Sequence, residues 1–202
     1  MAFTAAQIKN LALTEINHET ISDWTDTTNT DIAIINQQYE LALQNALGAY
    51  PWTFAQKHVA LTTTDTPDTD ALYKKYKKTA TMPTDVLGQV AATTNELFEN
   101  LADFTVIGTK IYCHQDPIYI KYTARVDEAN LSAEFIDWFK TYFAMRLNPY
   151  LNGDMQRQAY LGSEEVQLFK KAKNMDSHKI PHQALIGNPF LWVRGKFGGG
   201  VI

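Results

Sequence analysis

Apolar residues in the first fifty positions recur at helical spacing. Ile8, Leu11, Ala12 and Glu15 share one face, with Leu13 and Ile16 beside it, which predicts a helix of about four turns ending before Asn17 and His18. Thr4 and Gln7 have capping-box spacing, and Phe3 and Ile8 have that of a hydrophobic staple. The Thr27-Thr28-Asn29-Thr30-Asp31 cluster predicts the next helix start, with Thr28 as the cap and Asp31 in the place usually held by glutamate. Ile32, Ile35, Tyr39, Ala42, Leu43, Ala46 and Tyr50 then fall at steps of three and four, a single buried stripe that Gly48 and Pro51 terminate.

The period changes after Tyr50-Pro51-Trp52-Thr53-Phe54-Ala55. Pro51 disfavours helical geometry at Tyr50 and cannot continue a helical ladder, so the chain turns where Tyr50, Trp52 and Phe54 need cover from water. This is an architectural corner between two layers. Residues 57–61 and 85–90 read as strands, and Leu72 to Lys78 reads as a lysine-decorated strand or edge. Thr94 to Leu101 is compatible with a short helical insert. Phe104-Thr105-Val106-Ile107 and Lys110-Ile111-Tyr112-Cys113 flank Gly108-Thr109, the signal of a type II′ hairpin. Ile118, Ile120, Tyr122 and Ala124 alternate with Tyr119, Lys121, Thr123 and Arg125, a strand with one wet face.

Helical period returns after Ser132, a cap, with Phe135, Trp138, Phe139, Tyr142 and Phe143 forming the most apolar face of the chain. Asn148-Pro149 bends or ends that helix, and Asn152-Gly153-Asp154 turns into a fourth reaching about Lys173, acidic at Asp154 and basic at Lys170, Lys171 and Lys173 as its dipole favours. The remainder carries Pro181, Gly187, Pro189, Gly195 and a Gly198-Gly199-Gly200 run, which no regular helix accommodates throughout. The fold class is therefore α+β: an antiparallel bundle of about four helices drawn from both ends of the chain, a central antiparallel β insertion and an extended C-terminal tail. The divisions fall at 1–56, 57–127, 128–176 and 177–202.

With 202 residues, 45% of them hydrophobic and 20% charged, the chain has enough apolar surface for a core. It has no unbroken apolar span of membrane length and no basic-then-apolar leader, so the expectation is a protein that works away from membranes. Cys113 is the single cysteine, which leaves packing to hold the fold. The net charge of −4 is unevenly spread: residues 1–72 hold 2 basic and 9 acidic side chains, whereas the segment from His178 onward holds Lys179, Arg194 and Lys196 and no acidic side chain. A basic tail on an acidic body is a partner-seeking arrangement.

Catalytic and metal motifs are weak. Gly195-Lys196 precedes Phe197 where a phosphate loop needs Ser or Thr. His178 and His182 are separated by Pro181 and have no local third ligand, and Asp65, Asp68 and Asp70 lack the glycine and distal glutamate of a calcium hand, so a solvated linker and a solvated turn are the better readings. Cys113 and His114 point to opposite faces of a strand, and Gly162-Ser163-Glu164-Glu165 is no serine elbow. The expectation is no enzyme, no cofactor and no metal.

Two binding features remain. Lys74, Lys75, Lys77 and Lys78 surround Tyr76, which makes a small nucleic-acid-binding protein the alternative function. Pro189, Phe190, Leu191, Trp192, Arg194 and Phe197 place large apolar groups and a cation in the tail, the residue types that anchor interfaces.

The chain resembles the phage head-to-tail adaptor (connector) family, which includes the tail tubular protein A type. The resemblance rests on the helix into Tyr50-Pro51-Trp52-Thr53-Phe54-Ala55, on Tyr73 and Tyr76 leading into Met82-Pro83-Thr84-Asp85, and on Val106-Ile107-Gly108 opening a hairpin. It continues through Ile118-Tyr119-Ile120-Lys121-Tyr122 into Arg125-Val126-Asp127 and an aromatic helix. Met82 stands where leucine is usual before the proline, and the stretch from Asn95 to Leu101 resembles an addition. The resemblance implies a virion protein assembled in the host cytoplasm as a ring of twelve copies. It further implies helices around a DNA channel, a β domain outside, the tail clamping the portal protein, a tail tube or nozzle protein below, and DNA passing without specific binding.

Overall fold

The computed structural model describes residues 3–26, 28–67, 70, 72, 75–96 and 101–179. Among them the protein is a mixed α+β chain with four helices and two antiparallel sheets. Helices α1 (Ala5–Glu15) and α2 (Thr30–Gly48) precede strands β1 (Gln56–Leu61), β2 (Thr64–Asp65), β3 (Lys78–Thr81), β4 (Val86–Thr93), β5 (Thr105–Ile107), β6 (Lys110–Cys113) and β7 (Ile118–Ala124). Helices α3 (Ala133–Leu151) and α4 (Met155–Ser177) follow.

The capping box at α1 forms on both sides: Gln7 N–H donates to Thr4 Oγ1 at 3.3 Å and Thr4 N–H to Gln7 Oε1 at 2.9 Å. Asn17 at φ 55° closes the helix, the left-handed position that asparagine tolerates. At α2 the cap is Asn29, not Thr28: Asn29 Oδ1 accepts from the N–H groups of Asp31 and Ile32. The helix begins at Thr30, which puts Asn29 in the cap position, while Thr28 belongs to the preceding turn, its hydroxyl donating to Asp26 Oδ1 at 2.6 Å. Ser132 caps α3 through the Phe135 N–H. Helix α3 runs through Pro149 to Leu151, because the proline falls in its last turn and the N–H groups of Asn152 and Gly153 both close on Asn148 O. Helix α4 continues a turn beyond Lys173.

Helices α1, α2 and α4 all contact α3. The stripes read from the sequence meet there: Ile8, Ile35, Tyr39, Leu43, Leu47, Trp52, Phe135, Trp138, Phe139 and Phe143 belong to one buried cluster. Edge and stacked ring pairs, such as Tyr39 with Phe143 at 5.4 Å, add orientation to bulk burial.

One sheet has the order β1-β7-β4 and the other β2-β3-β6-β5. The β5–β6 hairpin forms as its turn dictates, with Gly108 at φ 59° and Thr109 outside the positive region, as a II′ turn requires. On β7, Ile118, Ile120, Tyr122 and Ala124 face a second buried cluster with Ile111, Cys113, Ala92, Ala80 and Met82. Thr123 is buried too, because α2 contacts β7 and β4 from the other side. Among the described residues of the lysine-bearing stretch, none before Lys78 belongs to a strand: the N–H groups of Lys75 and Tyr76 both turn back onto Leu72 O. In the stretch read as a helical insert, 94–96 form a turn and 97–100 lie outside the described residues; Leu101 bridges back to Thr93.

Candidate functional site

The aromatic corner is the joint of the two layers. Trp52 is fully buried, its Nε1–H donating to Ala46 O at 3.0 Å, with rings of Tyr50, Phe54, Phe135, Trp138 and Phe169 between 5.0 and 6.1 Å from its own. One indole thus touches the end of α2, the corner, α3 and α4. The corner offers no open ring face on Trp52, so its role is architectural.

Directly after Trp52, Thr53 begins a single 3-10 turn, Thr53–Ala55. Asp176, buried in the last turn of α4, accepts from the Thr53 N–H and the Thr53 hydroxyl. Three residues on, Lys179 Nζ lies 3.3 Å from Glu134 Oε2 in the first turn of α3. The Glu134 carboxyl is held below the usual glutamate range, first by its own backbone N–H and then by the Lys179 cation. The end of α4 and Lys179, the last described residue, are therefore held on two sides, beside the corner and the start of β1. The predicted docking residues Pro189, Phe190, Leu191, Trp192, Arg194 and Phe197 lie outside the described residues, as does His182.

A second joint is built on Arg125 at the end of β7. Its guanidinium binds Glu40 of α2 through Nε at 2.9 Å and Nη2 at 3.1 Å, binds Glu128 through Nη2 at 3.0 Å and donates to Val126 O. Burial disfavours that charge, but the two carboxylates outweigh it and raise the Arg125 pKa, and Glu40 is lowered in return by the Arg125 hydrogen bonds. A fork-to-fork pair of this kind fixes direction as well as distance, so it sets the angle of sheet to helix.

The lysine cluster is less exposed in its chemistry than the sequence implies. Lys74 lies outside the described residues; Lys75 Nζ sits 4.7 Å over the Tyr76 ring, and Lys78 is bridged to Asp65 at 3.0 Å. Lys77 has a partner as well. Tyr76, the ring that base stacking would need, is 1% exposed, and its hydroxyl is held by Asp103 and Thr105. Among the described residues of the cluster, Tyr76 offers no open ring face on which a base could stack.

Cys113 is buried, and burial pushes its thiol up, while His114 is exposed and stacks obliquely on Tyr76 at 5.3 Å. Among the described residues no group of three or more His, Cys, Asp and Glu side chains is placed to hold a metal ion, and no helix is long and apolar enough to cross a membrane. A carboxylate-lined hollow of about 660 Å³ lies between α1 and α2, where Glu19, Asp23, Asp26 and Asp31 gather. Asp23 and Asp26 are each lowered first by the side chain of the threonine two residues on, so they stay ionised and give that end of the protein its negative character.

Sequence reasoning missed Thr53, Asp176, Glu40 and Arg125 as partners, since each pair is joined only by folding. One signal existed for Asp176: a carboxylate among Lys170, Lys171, Lys173 and Lys179 at a helix C-terminus opposes the dipole and calls for a specific partner. No family model matches the chain, and no curated protein matches it.

Proposed function

We propose that the protein is a structural head-to-tail adaptor of a tailed bacteriophage, with assembly rather than catalysis as its role. Twelve copies form a ring below the portal protein, their helices acting as an antiparallel bundle around the channel with the sheets outside. The tail tube or nozzle protein attaches beneath, and DNA passes through without specific binding. The order helix pair, β insertion, helix pair and basic tail, together with the motifs quoted above, supports this reading.

The observation that carries it is the anchoring of the chain at residues 176–179, immediately before the C-terminal segment. Asp176 on Thr53 and Lys179 on Glu134 hold the body up to residue 179, and residues 180–202 continue from there with no acidic side chain. Phe190, Leu191, Trp192 and Arg194 in that segment are residue types that anchor interfaces, which suits docking on another protein. The acidic α1–α2 end suits a channel wall that repels rather than grips duplex phosphates.

The test is a chain ending at Gly187, mixed with portal rings and followed by co-sedimentation and electron microscopy. The full chain is expected to add a twelve-fold ring to the portal and the shortened one to lose it. Attachment of the shortened chain at full affinity would overturn the assignment.

A further inference from the structure

Two edge strands border an uncharged slot. Strand β4 is the last of its sheet and β5 the last of the other. Val86, Leu87, Gly88 and Val90 of β4, Val106 of β5 and the Met82-Pro83 turn line one hollow of about 620 Å³ that contains no charged side chain. Leu101 and Ala102 cover the far end of β4 by pairing at Thr93 and Ala92. From Val86 to Val90 β4 has no strand on that side among the described residues. An open strand edge beside apolar pockets is the geometry that captures an extended peptide.

We propose that this slot is the resting site of the chain's own run Phe190-Leu191-Trp192-Val193, laid in as an added strand. The run can reach the slot. Thr53 holds Asp176 and lies three residues before Gln56, which pairs with Thr123, which pairs in turn with Gly88. Strands lie about 4.8 Å apart, so Gly88 is about 10 Å across the sheet from Gln56. Three residues of chain add at most about 10 Å, and the short step from Asp176 to Lys179 keeps the whole path under about 30 Å. Phe190 is eleven residues beyond Lys179, a reach of up to about 36 Å.

The run also matches the slot in chemistry. The run carries no charge, like the slot, and consists of residues that favour a pleated, half-buried surface. Pro189 precedes it at the first strand position, where no N–H is needed. Val106 is 39% exposed and would be covered by the added strand. This inference stands apart from the adaptor reading: it says where the tail rests before any partner takes it, and it does not require that partner to be a portal.

The test uses the full chain. Hydrogen exchange is expected to protect the amides of residues 190–193 and 86–90 together, independently of protein concentration, and Val106→Lys to lower both by about tenfold. Oxidation of the Val106→Cys, Trp192→Cys double variant is expected to yield a link within one chain, mapped by peptide mass. Unprotected amides at 190–193 in the unaltered protein would overturn the proposal, as would a link formed only between copies. Because portal binding is read separately, failure of either result leaves the other interpretable.

Discussion

Asp176 accepts two hydrogen bonds from Thr53, one from the backbone N–H at 2.8 Å and one from the hydroxyl at 2.7 Å, across 123 residues of sequence. Both bonds are charge-assisted and withdrawn from water, and together they cap the 3-10 turn after the corner and hold the last turn of α4. Asp176→Ala is expected to cost about 3 kcal/mol, since it removes two charge-assisted hydrogen bonds at once. Thr53→Val, which removes one of the two bonds, is expected to cost about half as much. Urea unfolding measures both, and a change under about 0.5 kcal/mol for Asp176→Ala would remove the lock from the account.

Trp52 gives the second prediction. Its indole sits among five other rings and its N–H holds Ala46 O at the end of α2. Trp52→Ala is expected to destabilise by about 4 kcal/mol through the cavity it leaves, and Trp52→Phe by less, about 1–2 kcal/mol, through the lost hydrogen bond and partial void. Thermal unfolding gives the ranking; equal effects for the two variants would mean the ring cluster does not respond as a packed unit.

Arg125 tests the angle between sheet and helices. Arg125→Lys keeps the charge but loses the two-pronged contact with Glu40, so a cost of about 1 kcal/mol is expected despite the conservative chemistry. A double-mutant cycle with Glu40→Gln is the direct measurement, with an expected coupling of about 1 kcal/mol. A coupling near zero would reduce the pair to a surface contact.

A pH prediction follows from Lys57, Asp85 and Tyr122. Lys57 Nζ binds one carboxylate oxygen of Asp85 and Tyr122 donates to the other at 3.0 Å. Burial and the Asp85 charge push the Tyr122 phenol up to about 12. Burial would raise Asp85, but the Lys57 and Tyr122 hydrogen bonds and the Lys57 charge outweigh it and hold the carboxyl below its ordinary value. The two groups therefore act at opposite ends of the scale. The Asp85 contribution is complete above the unfolded aspartate value of about 3.9 and is lost as pH falls through the lower native one. That of Tyr122 is complete below the unfolded tyrosine value of about 10 and is lost as pH rises through its native value. Tyr122→Phe is expected to flatten the alkaline decline in urea midpoint and to delete the late component of phenolate absorbance. An unchanged alkaline limb would show that Tyr122 does not carry it.

The sequence by itself determined the local elements and their buried faces. The 3.6-residue stripes of α1, α2 and α3, the caps at Thr4 and Ser132, the Gly108 hairpin and the alternation of β7 are legible because each depends on side chains a few positions apart. Where neighbouring residues compete for one role, local reading falters. Asn29 rather than Thr28 takes the cap because the helix begins at Thr30 and Thr28 belongs to the turn held by Asp26, and the Leu72 carbonyl turned Lys75 and Tyr76 away from a strand. Only the tertiary structure decided how far α4 runs, which rings close on Trp52, and that β4 and β5 frame one slot. Those outcomes join residues far apart in the chain, such as Thr53 with Asp176 and Trp52 with Phe135, through hydrogen bonds and ring contacts, and no periodicity along the chain encodes which distant partner a buried carboxylate or indole meets.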